Sequence, residues 1–404
     1  MIRAYKFLMR PTVGQTAALG EMLRDHCSLY NGALQERRDA YRHVSKTSVK
    51  YGQQSGQLKD IRAFDPERQG RWSFSSQQAT LRRLDKAFAA FFRRIKAGGK
   101  PGYPRFRGVN WFDTVDFPKD GDGCRWDSTP YDPVTRVRFQ GVGHVKVNQH
   151  RPVVGKVKTV SVKREGRKWY VVLTAEQTQP EPLPATGSVV GIDLGTASFL
   201  TDSNGEHTPN PRHARKAAAK LEAAQQALSR FPRRKAKDRT KNHQRAVEKV
   251  AALHNKVRRQ RLDHAHKTAV ALIREHDFIA HEDLKIRNMS RAPAPKPDPD
   301  QPGSFLPNGA AAKAGLNRSI ADAGWGVFLA ILNAKAESAG REVMAVDPRN
   351  TSRRCPECGH TAKENRPTQE KFHCVSCGHQ AHADKVGALN VLRAGLVRRN
   401  ANKA

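Results

Sequence analysis

The sequence predicts a multidomain α+β protein, in which a β-rich region with a helical insert precedes an α/β region that contains a small metal-binding segment. Strand-like alternation of apolar residues occurs in residues 2–8 and between residues 110 and 178. Helical periodicity occurs between these stretches and again over residues 212–275. Two CxxC pairs lie near the C-terminal end. A chain of 404 residues can hold two or three domains, each with its own core.

The first helical region follows Pro11, which ends the opening strand. Residues 15–42 repeat apolar side chains at helical spacing, whereas the polar residues 45–72 predict an irregular segment. Ser75 is a suitable N-cap for a second helix, and the aromatic pair Phe91–Phe92 is expected in the core. The apolar positions of this second helix are Leu81, Leu84, Phe88, Phe91 and Ile95.

Basic residues cover the opposite face of the second helix and the extended loop that follows it. These residues, with the aromatic residues between them, are Arg82, Arg83, Arg93, Arg94, Lys100, Tyr103, Arg105, Phe106 and Arg107. Proline and glycine exclude a helix in the loop. Interleaved cationic and aromatic side chains can clamp a nucleic-acid backbone and stack on bases, so all nine are candidate nucleic-acid contacts. A rigid linker whose rings pack on the protein would have the same sequence, and the two interpretations stay open.

Short strands separated by turns are predicted after this loop. Residues 164–168 join two of them in a hairpin, and the proline-rich residues 177–187 mark a domain boundary. A new strand covers residues 189–194. The turn Ser203-Asn-Gly205 predicts that the chain then doubles back as a hairpin.

The rest of the chain alternates between helices and strands. Helices are predicted at residues 212–275, with a break near 231–237, at 317–339 and at 385–396; strands are predicted at 277–282 and 342–346; and a basic tail covers 397–404. The predicted buried stripe of the long helices consists of Val247, Val250, Leu253 and Val257. Residues 291–309 contain six prolines and are predicted to be mobile.

The charge balance predicts a polyanionic partner. Lys and Arg number 72 against 38 Asp and Glu, which gives a net charge of +34 and an isoelectric point near 10.4. The basic residues run along the whole chain rather than along one amphipathic helix, which favours nucleic acid over a membrane surface. A ribosomal or histone-like protein could carry the same charge, so charge alone does not indicate an enzyme. No apolar run is typical of a signal peptide or a membrane span, so a cytoplasmic location is expected.

Four of the six cysteines form two CxxC pairs that are separated by fifteen residues. They are Cys355, Cys358, Cys374 and Cys377. This spacing is typical of one tetrahedral zinc ion with four thiolate ligands, and Gly359 and Gly378 permit the positive φ of a zinc knuckle. Two disulfides are the alternative, but nothing in the sequence suggests export to an oxidising compartment. Cys27 and Cys124 are isolated and are expected to be packing residues.

Three acidic residues stand out against the basic background. Asp193 and Glu282 lie at the ends of predicted strands, and Asp384 lies at the start of the last helix. Neighbouring strands and a covering helix can bring such residues together, although they are far apart in sequence. Clustered carboxylates repel one another unless cations lie between them, and two Mg²⁺ or Mn²⁺ ions about 4 Å apart would support phosphodiester hydrolysis. Taken singly, each acid has a plain alternative as a turn residue, a surface acid or a helix N-cap.

The motif around Asp193, Gly-Ile-Asp-Leu-Gly-Thr, also matches the first phosphate loop of actin-like ATPases and sugar kinases. Those proteins need a second phosphate loop, Asp-x-Gly, and a glycine-rich adenosine motif. No such adenosine motif follows residue 205. The paired cysteines and the extreme basicity are also foreign to that class, so it is not favoured.

With these motifs the chain resembles the TnpB family, the RNA-guided nucleases that insertion sequences encode and that are ancestral to type V CRISPR effectors. The resemblance covers nearly the full length. It is carried by Gly191-Ile-Asp-Leu-Gly195, by Glu282-Asp-Leu284, by Asp384 just after the paired cysteines, and by residues 84–94, 102–106, 316–325 and 346–359.

The resemblance implies a specific architecture and activity. The implied domains are a β-barrel wedge (1–15 and 109–180) with a helical recognition insert (16–108), a linker (181–188), an RNase H-like (RuvC) α/β nuclease (189–350, with long basic helices at 212–275, and 381–396), an inserted zinc ribbon (351–380) and a basic tail (397–404). Asp193, Glu282 and Asp384 would be catalytic and hold two Mg²⁺ or Mn²⁺ ions, beside one structural zinc. A monomer with its guide RNA would cleave double-stranded DNA.

One motif departs from the family pattern. The last motif is usually Asp-x-Asn-Ala-Ala-x-Asn, and here it is Asp384-Lys-Val-Gly-Ala-Leu-Asn390. Val386 replaces an amide, and Gly387 loosens the start of the helix. The carboxylate survives, so activity is expected, with its rate and metal preference left open. The alternatives are a compact type V CRISPR effector, a nuclease-dead RNA-guided repressor and an unguided accessory factor of transposition.

Overall fold

The computed structural model describes residues 1–127, 134–178, 181–234, 238–301 and 303–402. The chain divides into two compact units, Met1–Gln179 with Lys235–Asp238, and Pro180–Arg234 with Arg239–Ala404. Both units combine helices and sheet, so the predicted multidomain α+β class is confirmed. The boundary between the two lies within the proline-rich residues 177–187.

The first unit is built on an antiparallel sheet with three helices. Its elements are β1 (Ile2–Arg10), α1 (Val13–Arg42), α2 (Tyr51–Phe64), α3 (Phe74–Lys96), β2 (Thr114–Phe117), β3 (Cys124–Arg125), β4 (Arg136–Phe139), β5 (Gly143–Asn148), β6 (Lys156–Glu165) and β7 (Lys168–Glu176). The strand order is β2-β6-β7-β1-β5-β4-β3. The hairpin predicted at residues 164–168 is β6–β7.

The two outer strands of this sheet, β2 and β3, are consecutive in the chain and are joined by residues 118–123 alone. The edges of the sheet are therefore drawn towards each other, and the predicted barrel is a nearly closed sheet. The rings of Phe117 and Phe139 lie 5.5 Å apart inside it. Successive side chains of β1 point to opposite faces of the sheet, and Tyr5 and Phe7 on the inner face are buried in the same core.

The helices of the first unit differ from the prediction in three details. Residues 45–72 are not irregular throughout, because α2 lies within them; only Gln54 and Leu58 of that helix are buried, which is too few to produce an apolar stripe. The N-cap of α3 is Ser73 rather than Ser75. Phe92 is 59% exposed and Phe91 is only half-buried, so the aromatic pair is not part of the core.

The second unit contains a mixed sheet, several helices and two small two-stranded sheets. Its elements are β8 (Val189–Asp193), β9 (Ser198–Asp202), β10 (His207–Pro209), α4 (His213–Ser229), α5 (Lys241–Glu275), β11 (Phe278–Glu282), α6 (Ile286–Met289), β12 (Lys296–Pro297), β13 (Phe305–Leu306), α7 (Ala310–Ala323), α8 (Trp325–Ala339), β14 (Glu342–Val346), β15 (Lys371–His373), β16 (Gln380–His382) and α9 (Ala383–Ala401).

The main sheet of the second unit has the order β10-β9-β8-β11-β14. Strands β8, β11 and β14 are parallel, and β9 and β10 are antiparallel to their neighbours. Helix α9 packs directly on β8: a Cβ atom added at Gly191 would lie only 2.2 Å from the carbonyl oxygen of Ala388. A side chain at position 191 would therefore push the helix away from the strand end that carries Asp193.

The second unit confirms most of the predicted elements and corrects four. The turn at residues 203–205 exists, but it joins β9 to β10, and the chain first reverses at residues 194–197. Of the predicted stripe Val247, Val250, Leu253 and Val257, only Val257 is buried. The predicted helix 317–339 is two helices, because Gly324 has a φ of +72° and separates α7 from α8. Helix α9 runs to Ala401 and includes residues 397–401 of the predicted tail.

Two segments were predicted without regular structure. Residues 181–188 have none, but the carbonyl groups of Leu183 and Pro184 accept hydrogen bonds from Arg341. The described part of residues 291–309 contains the short hairpin β12–β13; Pro302 lies outside the described residues. Among the helices of the described residues, none is long and apolar enough to cross a membrane.

Candidate active site and metal centre

The three candidate carboxylates lie at one edge of the mixed sheet. Strands β8 and β11 pair in parallel with Ile192 beside His281, so their final residues, Asp193 and Glu282, end at the same edge. Asp384 is the second residue of α9. The N-cap of this helix is His382, whose Nδ1 accepts a hydrogen bond from the backbone amide of Asp384 at 3.3 Å. Asp384 is thus not the N-cap that the alternative interpretation required.

Gly387 lies one turn further along α9 and contacts Asp193. A Cβ atom added at Gly387 would lie 3.2 Å from Oδ2 of Asp193. The departure from the family motif at this position therefore gives the Asp193 carboxylate additional room. It also shows that the start of α9 lies directly against the end of β8.

Burial raises the pKa values of two of the three carboxylates, Asp193 and Glu282. The pKa of Asp193 is raised to about 7, first by burial and then by the charges of Glu282 and Asp384, while Arg366 and the backbone amide of Leu194 act in the opposite direction. Burial also raises the pKa of Glu282 above its usual value, against the effect of a hydrogen bond from Thr351 and of the nearby Arg366. Two neighbouring, partly buried carboxylates whose pKa values are raised provide an electrostatic setting in which bound cations are favourable.

This pKa shift predicts a pH-dependent stability for Asp193→Asn. A carboxyl group with a higher pKa in the folded than in the unfolded protein costs stability as it ionises, here between about pH 4 and pH 7. In the absence of divalent cations, Asp193→Asn should melt roughly 5 °C above the wild type at pH 8, and the difference should shrink towards pH 4. Differential scanning fluorimetry with EDTA measures this difference.

The matched control is Asp263→Asn. Asp263 lies on α5, its side chain is 64% exposed, and it is paired with Lys267. This control should not raise the melting temperature at pH 8. A melting temperature of Asp193→Asn equal to that of the wild type at pH 8 would contradict the electrostatic account.

Two residues that sequence reasoning missed contact the carboxylates. The hydroxyl of Thr351 donates to Oε1 of Glu282 at 2.6 Å. The Nη2 of Arg366 donates to Oδ1 of Asp384 at 3.3 Å. Both lie in the segment of the paired cysteines, and no spacing rule links them to Glu282 or Asp384. Only the folded position of that segment beside α9 reveals them.

The carboxylates are less tightly grouped than the cysteines. In the described part of the chain, the four cysteines are the one group of three or more potential ligands whose donor atoms all lie within 4.8 Å of one another. The three acids therefore do not form a cage around a single ion. Two ions about 4 Å apart require only that one carboxylate be shared, so this spacing is compatible with a pair of ions. An all-oxygen donor set suits Mg²⁺ or Mn²⁺.

The four cysteines are brought together by the chain as predicted. The Sγ atoms of Cys355 and Cys377 lie 3.6 Å apart, and those of Cys358 and Cys374 lie 3.5 Å apart. A tetrahedron of sulfur ligands at about 2.3 Å from zinc has edges of about 3.8 Å. None of the four forms a disulfide. The cluster is therefore a possible metal site, and the disulfide alternative is wrong.

Both CxxC turns have the geometry of knuckles. Gly359 and Gly378 each have a φ of +75°, as the sequence predicts. The amide of Gly359 donates to the carbonyl of Cys355 at 3.0 Å, and that of Gly378 donates to the carbonyl of Cys374 at 2.9 Å. The two turns are therefore equivalent halves of one site.

A buried asparagine joins the two halves. Asn365 is fully buried, and its Nδ2 donates to the carbonyl groups of Arg353 and His360 at 2.9 and 3.1 Å. Its Oδ1 accepts the amide of Val375 at 3.0 Å. Because Arg366 is the next residue, this anchor also fixes the backbone from which Arg366 reaches Asp384.

Val386, the second departure from the family motif, has a packing role. It is fully buried and belongs to a small apolar cluster with Phe372 and Ala383 of the same unit. Cys355 and Cys374 are members of the same cluster. An apolar residue at position 386 therefore ties α9 to the buried side of the cysteine site, which an amide would do less well.

The nine candidate nucleic-acid contacts lie on the first unit and differ in their surroundings. Arg82, Arg93, Arg94, Lys100, Arg105 and Arg107 are exposed. Arg83 is not available in the same way, because its guanidinium donates to Asp116 at 2.7 Å and to the carbonyl of Thr114 at 3.1 Å. These two hydrogen bonds join α3 to β2.

The loop over residues 100–107 combines both interpretations that the sequence leaves open. The ring of Tyr103 packs edge-on against Phe88 and Phe91, with centroids 5.5 and 5.3 Å away. The amide of Arg107 is held by Oδ1 of Asn31 at 2.8 Å. Tyr103 and Phe106 nevertheless keep 43% and 45% of their surface exposed. The loop is attached to the protein and still presents aromatic surface.

Comparison with known proteins identifies the family. Residues 171–292 match the family OrfB_IS605, described as "Probable transposase", and residues 325–391 match "Cas12f1-like, TNB domain". The chain is 33% identical to "Putative RNA-guided DNA endonuclease InsQ" of Escherichia coli strain K12, over 98% of this chain and 92% of that protein. The chain belongs to the TnpB family. The resemblance stated from the motifs is thereby confirmed.

Two further similarities accompany this TnpB assignment. A "Putative RNA-guided DNA endonuclease" of Streptomyces pristinaespiralis is 31% identical, over 98% of this chain and 89% of that protein. The solved structure of the mini-RNA-guided endonuclease CRISPR-Cas_phi3 aligns with a TM-score of 0.50 and 10% sequence identity, over 98% of this chain and 92% of that one. At this identity the second similarity concerns the fold alone.

Proposed function

We propose that this TnpB-family chain is an RNA-guided DNA endonuclease whose second unit is an RNase H-like (RuvC) nuclease with an inserted zinc ribbon. The observation that carries the proposal is the convergence of Asp193, Glu282 and Asp384 at one sheet edge, in a chain similar to proteins named RNA-guided DNA endonucleases. When the strands of the mixed sheet (β8, β9, β10, β11 and β14) are numbered 1 to 5 along the chain, their spatial order is 3-2-1-4-5. Strand 2 of this numbering, β9, runs antiparallel to its neighbours β8 and β10. That arrangement is typical of RNase H-like folds.

The chemistry that we propose needs two divalent cations at the carboxylates and zinc at the cysteines. When bound, Mg²⁺ or Mn²⁺ would activate water and stabilise the leaving oxygen of a phosphodiester. Asp193, Glu282 and Asp384 would hold these ions. Arg366 would hold Asp384 in place and present its remaining N–H groups to a phosphate oxygen. Zinc at the four cysteines would be structural, because all four ligand positions are filled by protein.

The proposed partners are a guide RNA and double-stranded target DNA. The net charge of +34 provides the phosphate-neutralising surface that such a complex requires. We propose the exposed residues Arg82, Arg93, Arg94, Lys100 and Arg105, together with Tyr103, Phe106 and Arg107, as backbone and stacking contacts. The sequence of the target would be read by base pairing with the guide. Wedge and recognition roles for residues 1–180 remain part of this proposal.

A guided-cleavage assay tests the proposal. The protein is purified with co-expressed RNA, the RNA is sequenced, and Mg²⁺ is added with a plasmid that either matches or mismatches the guide. Rapid cutting of the matched plasmid, and little cutting of the mismatched one, is expected because mismatches next to the recognition motif stop heteroduplex formation. Equal cutting of both plasmids, or a complex without a defined RNA, would instead indicate an unguided factor.

A compact type V CRISPR effector is a second candidate, favoured by the match of residues 325–391 to a Cas12f1-like domain. Both candidates predict guided cleavage. They differ in the source of the RNA, which would derive from a repeat array in one case and from a transposon end in the other. Sequencing of the co-purified RNA separates the two.

A further inference from the structure

Thr351 is a buried residue with an unusual pair of acceptors. It is 7% exposed, and its Oγ1 lies 2.6 Å from Oε1 of Glu282 and 3.0 Å from the carbonyl oxygen of Pro348. A hydroxyl group has one proton to donate. An ionised carboxylate accepts the stronger and shorter hydrogen bond, so the proton of Thr351 points at Glu282 when Glu282 carries its charge.

The hydrogen bond fixes one oxygen of a flexible side chain. Glu282 is the last residue of β11, where it pairs with Val346 of β14, but its carboxylate can rotate about three side-chain bonds. With Oε1 held by Thr351, the other oxygen, Oε2, keeps a defined direction at the sheet edge. A ligand carboxylate held in this way loses less freedom when it binds a cation.

Thr351 is in turn held by α9 and by the first knuckle of the cysteine site. The Nδ2 of Asn390, a buried residue of α9, donates to the carbonyl groups of Thr351 and Arg354, at 2.7 Å in each case. The amide of Arg354 donates to the carbonyl of Asn350 at 3.0 Å, and the next residue is the ligand Cys355. A change in the cysteine site is therefore four residues from the hydroxyl that holds Glu282.

We propose that Thr351 is a positioning residue that orients Glu282 for divalent-cation binding, and that through it the cysteine site supports the nuclease site directly. This inference rests on the proposed function. It assigns to the segment between β14 and the first knuckle a role beyond nucleic-acid contact or folding. Thr351 does not touch the substrate in this account; it acts through Glu282.

The test compares Thr351→Val, which removes the hydroxyl at nearly constant shape, with Thr351→Ser, which keeps it. Thr361→Val is the matched control, because Thr361 is an exposed threonine that lies between the two CxxC pairs. Binding of Mn²⁺ to the full-length protein with its RNA, without DNA, is measured from the electron paramagnetic resonance signal of free Mn²⁺. The Mg²⁺ dependence of plasmid cleavage is measured in parallel, with zinc content and RNA affinity as checks.

Thr351→Val should weaken Mn²⁺ binding about tenfold or more and shift the Mg²⁺ dependence of cleavage to higher concentration. Thr351→Ser and Thr361→Val should behave like the wild type, and zinc content and RNA affinity should not change. If valine is not accommodated and zinc is lost, Thr351→Ala removes the same hydroxyl without adding bulk.

Wild-type Mn²⁺ affinity in a folded hydroxyl-free variant would overturn the inference. So would an equal loss in Thr351→Ser, because that result would indicate a packing effect rather than a hydrogen bond. Failure of the wild-type complex to cut guided DNA would contradict the proposed function instead. The Mn²⁺ measurement requires no cleavage, so the two failures are distinguishable.

Discussion

Asp193→Ala is expected to lower the rate of guided DNA cleavage by about 10³-fold or more while leaving target binding intact. The reason is position: Asp193 lies at the end of the central strand β8, and its pKa responds to both Glu282 and Asp384, so it is the acid best placed to be shared by two ions. Cleavage of a matched plasmid in Mg²⁺ and binding of the same target in EDTA, measured by gel shift, separate chemistry from affinity.

Asp263→Ala is the matched control for this experiment. It removes an exposed carboxylate from the same unit and should leave the cleavage rate within experimental scatter of the wild type. Glu282→Ala and Asp384→Ala are expected to resemble Asp193→Ala, because each would remove a ligand of the same two divalent metal ions. A folded Asp193→Ala protein that still cuts at the wild-type rate would place the nuclease site elsewhere.

The residues that sequence reasoning found share a local signature. The four cysteines are identified by their spacing, because a knuckle needs two ligands three residues apart. Asp193 and Glu282 are identified because each ends an apolar strand and polar residues at strand ends gather at a sheet edge. The charge of +34 identifies a nucleic-acid partner without any knowledge of the fold. In each case a short stretch of sequence, or the overall composition, is enough to predict the residue or the partner.

The residues that sequence reasoning missed depend on contacts between distant segments. Thr351 contacts a glutamate 69 residues earlier, and Arg366 contacts an aspartate 18 residues later, across a segment whose fold depends on four cysteines. The basic helix face predicts Arg83 as a nucleic-acid contact, and this pattern does not reveal its ion pair with Asp116 on β2. Helix α2 is not predicted from the sequence, because only two of its residues, Gln54 and Leu58, are buried and they do not produce an apolar periodicity. Periodicity cannot report any of these pairings.

The cysteine segment has a small apolar core, and we expect a bound metal to stabilise its fold. Its buried cluster consists of Phe372, Ala383, Val386 and two of the cysteines themselves. Below about 40 residues, a fold of this kind needs disulfides or a metal, and this structure has no disulfide among the four cysteines. Structural zinc contributes about 10–16 kcal/mol in small zinc-finger peptides at neutral pH, which is more than such a core can supply.

Cys358→Ser is therefore expected to remove the metal and, with it, most of the nuclease activity. Cys358 is an exposed ligand, so serine removes a thiolate without opening a cavity in the core. Zinc measured by plasma mass spectrometry should fall from about one per chain to near zero, since structural sites need all four ligands. Cleavage should fall by about 100-fold or more, because Thr351 and Arg366 both belong to the segment that we propose the metal stabilises.

Cys27→Ala is the control, because Cys27 is a buried cysteine of the first unit and lies outside the cysteine cluster. Its zinc content should equal that of the wild type. Limited proteolysis should cut Cys358→Ser between residues 351 and 380 and leave Cys27→Ala intact in that segment. Because the metal supports the nuclease site through Thr351 and Arg366, the loss of cleavage should appear even with a target bound in advance. A zinc-free protein that retains full cleavage of such a target would show that the segment serves only to recruit DNA.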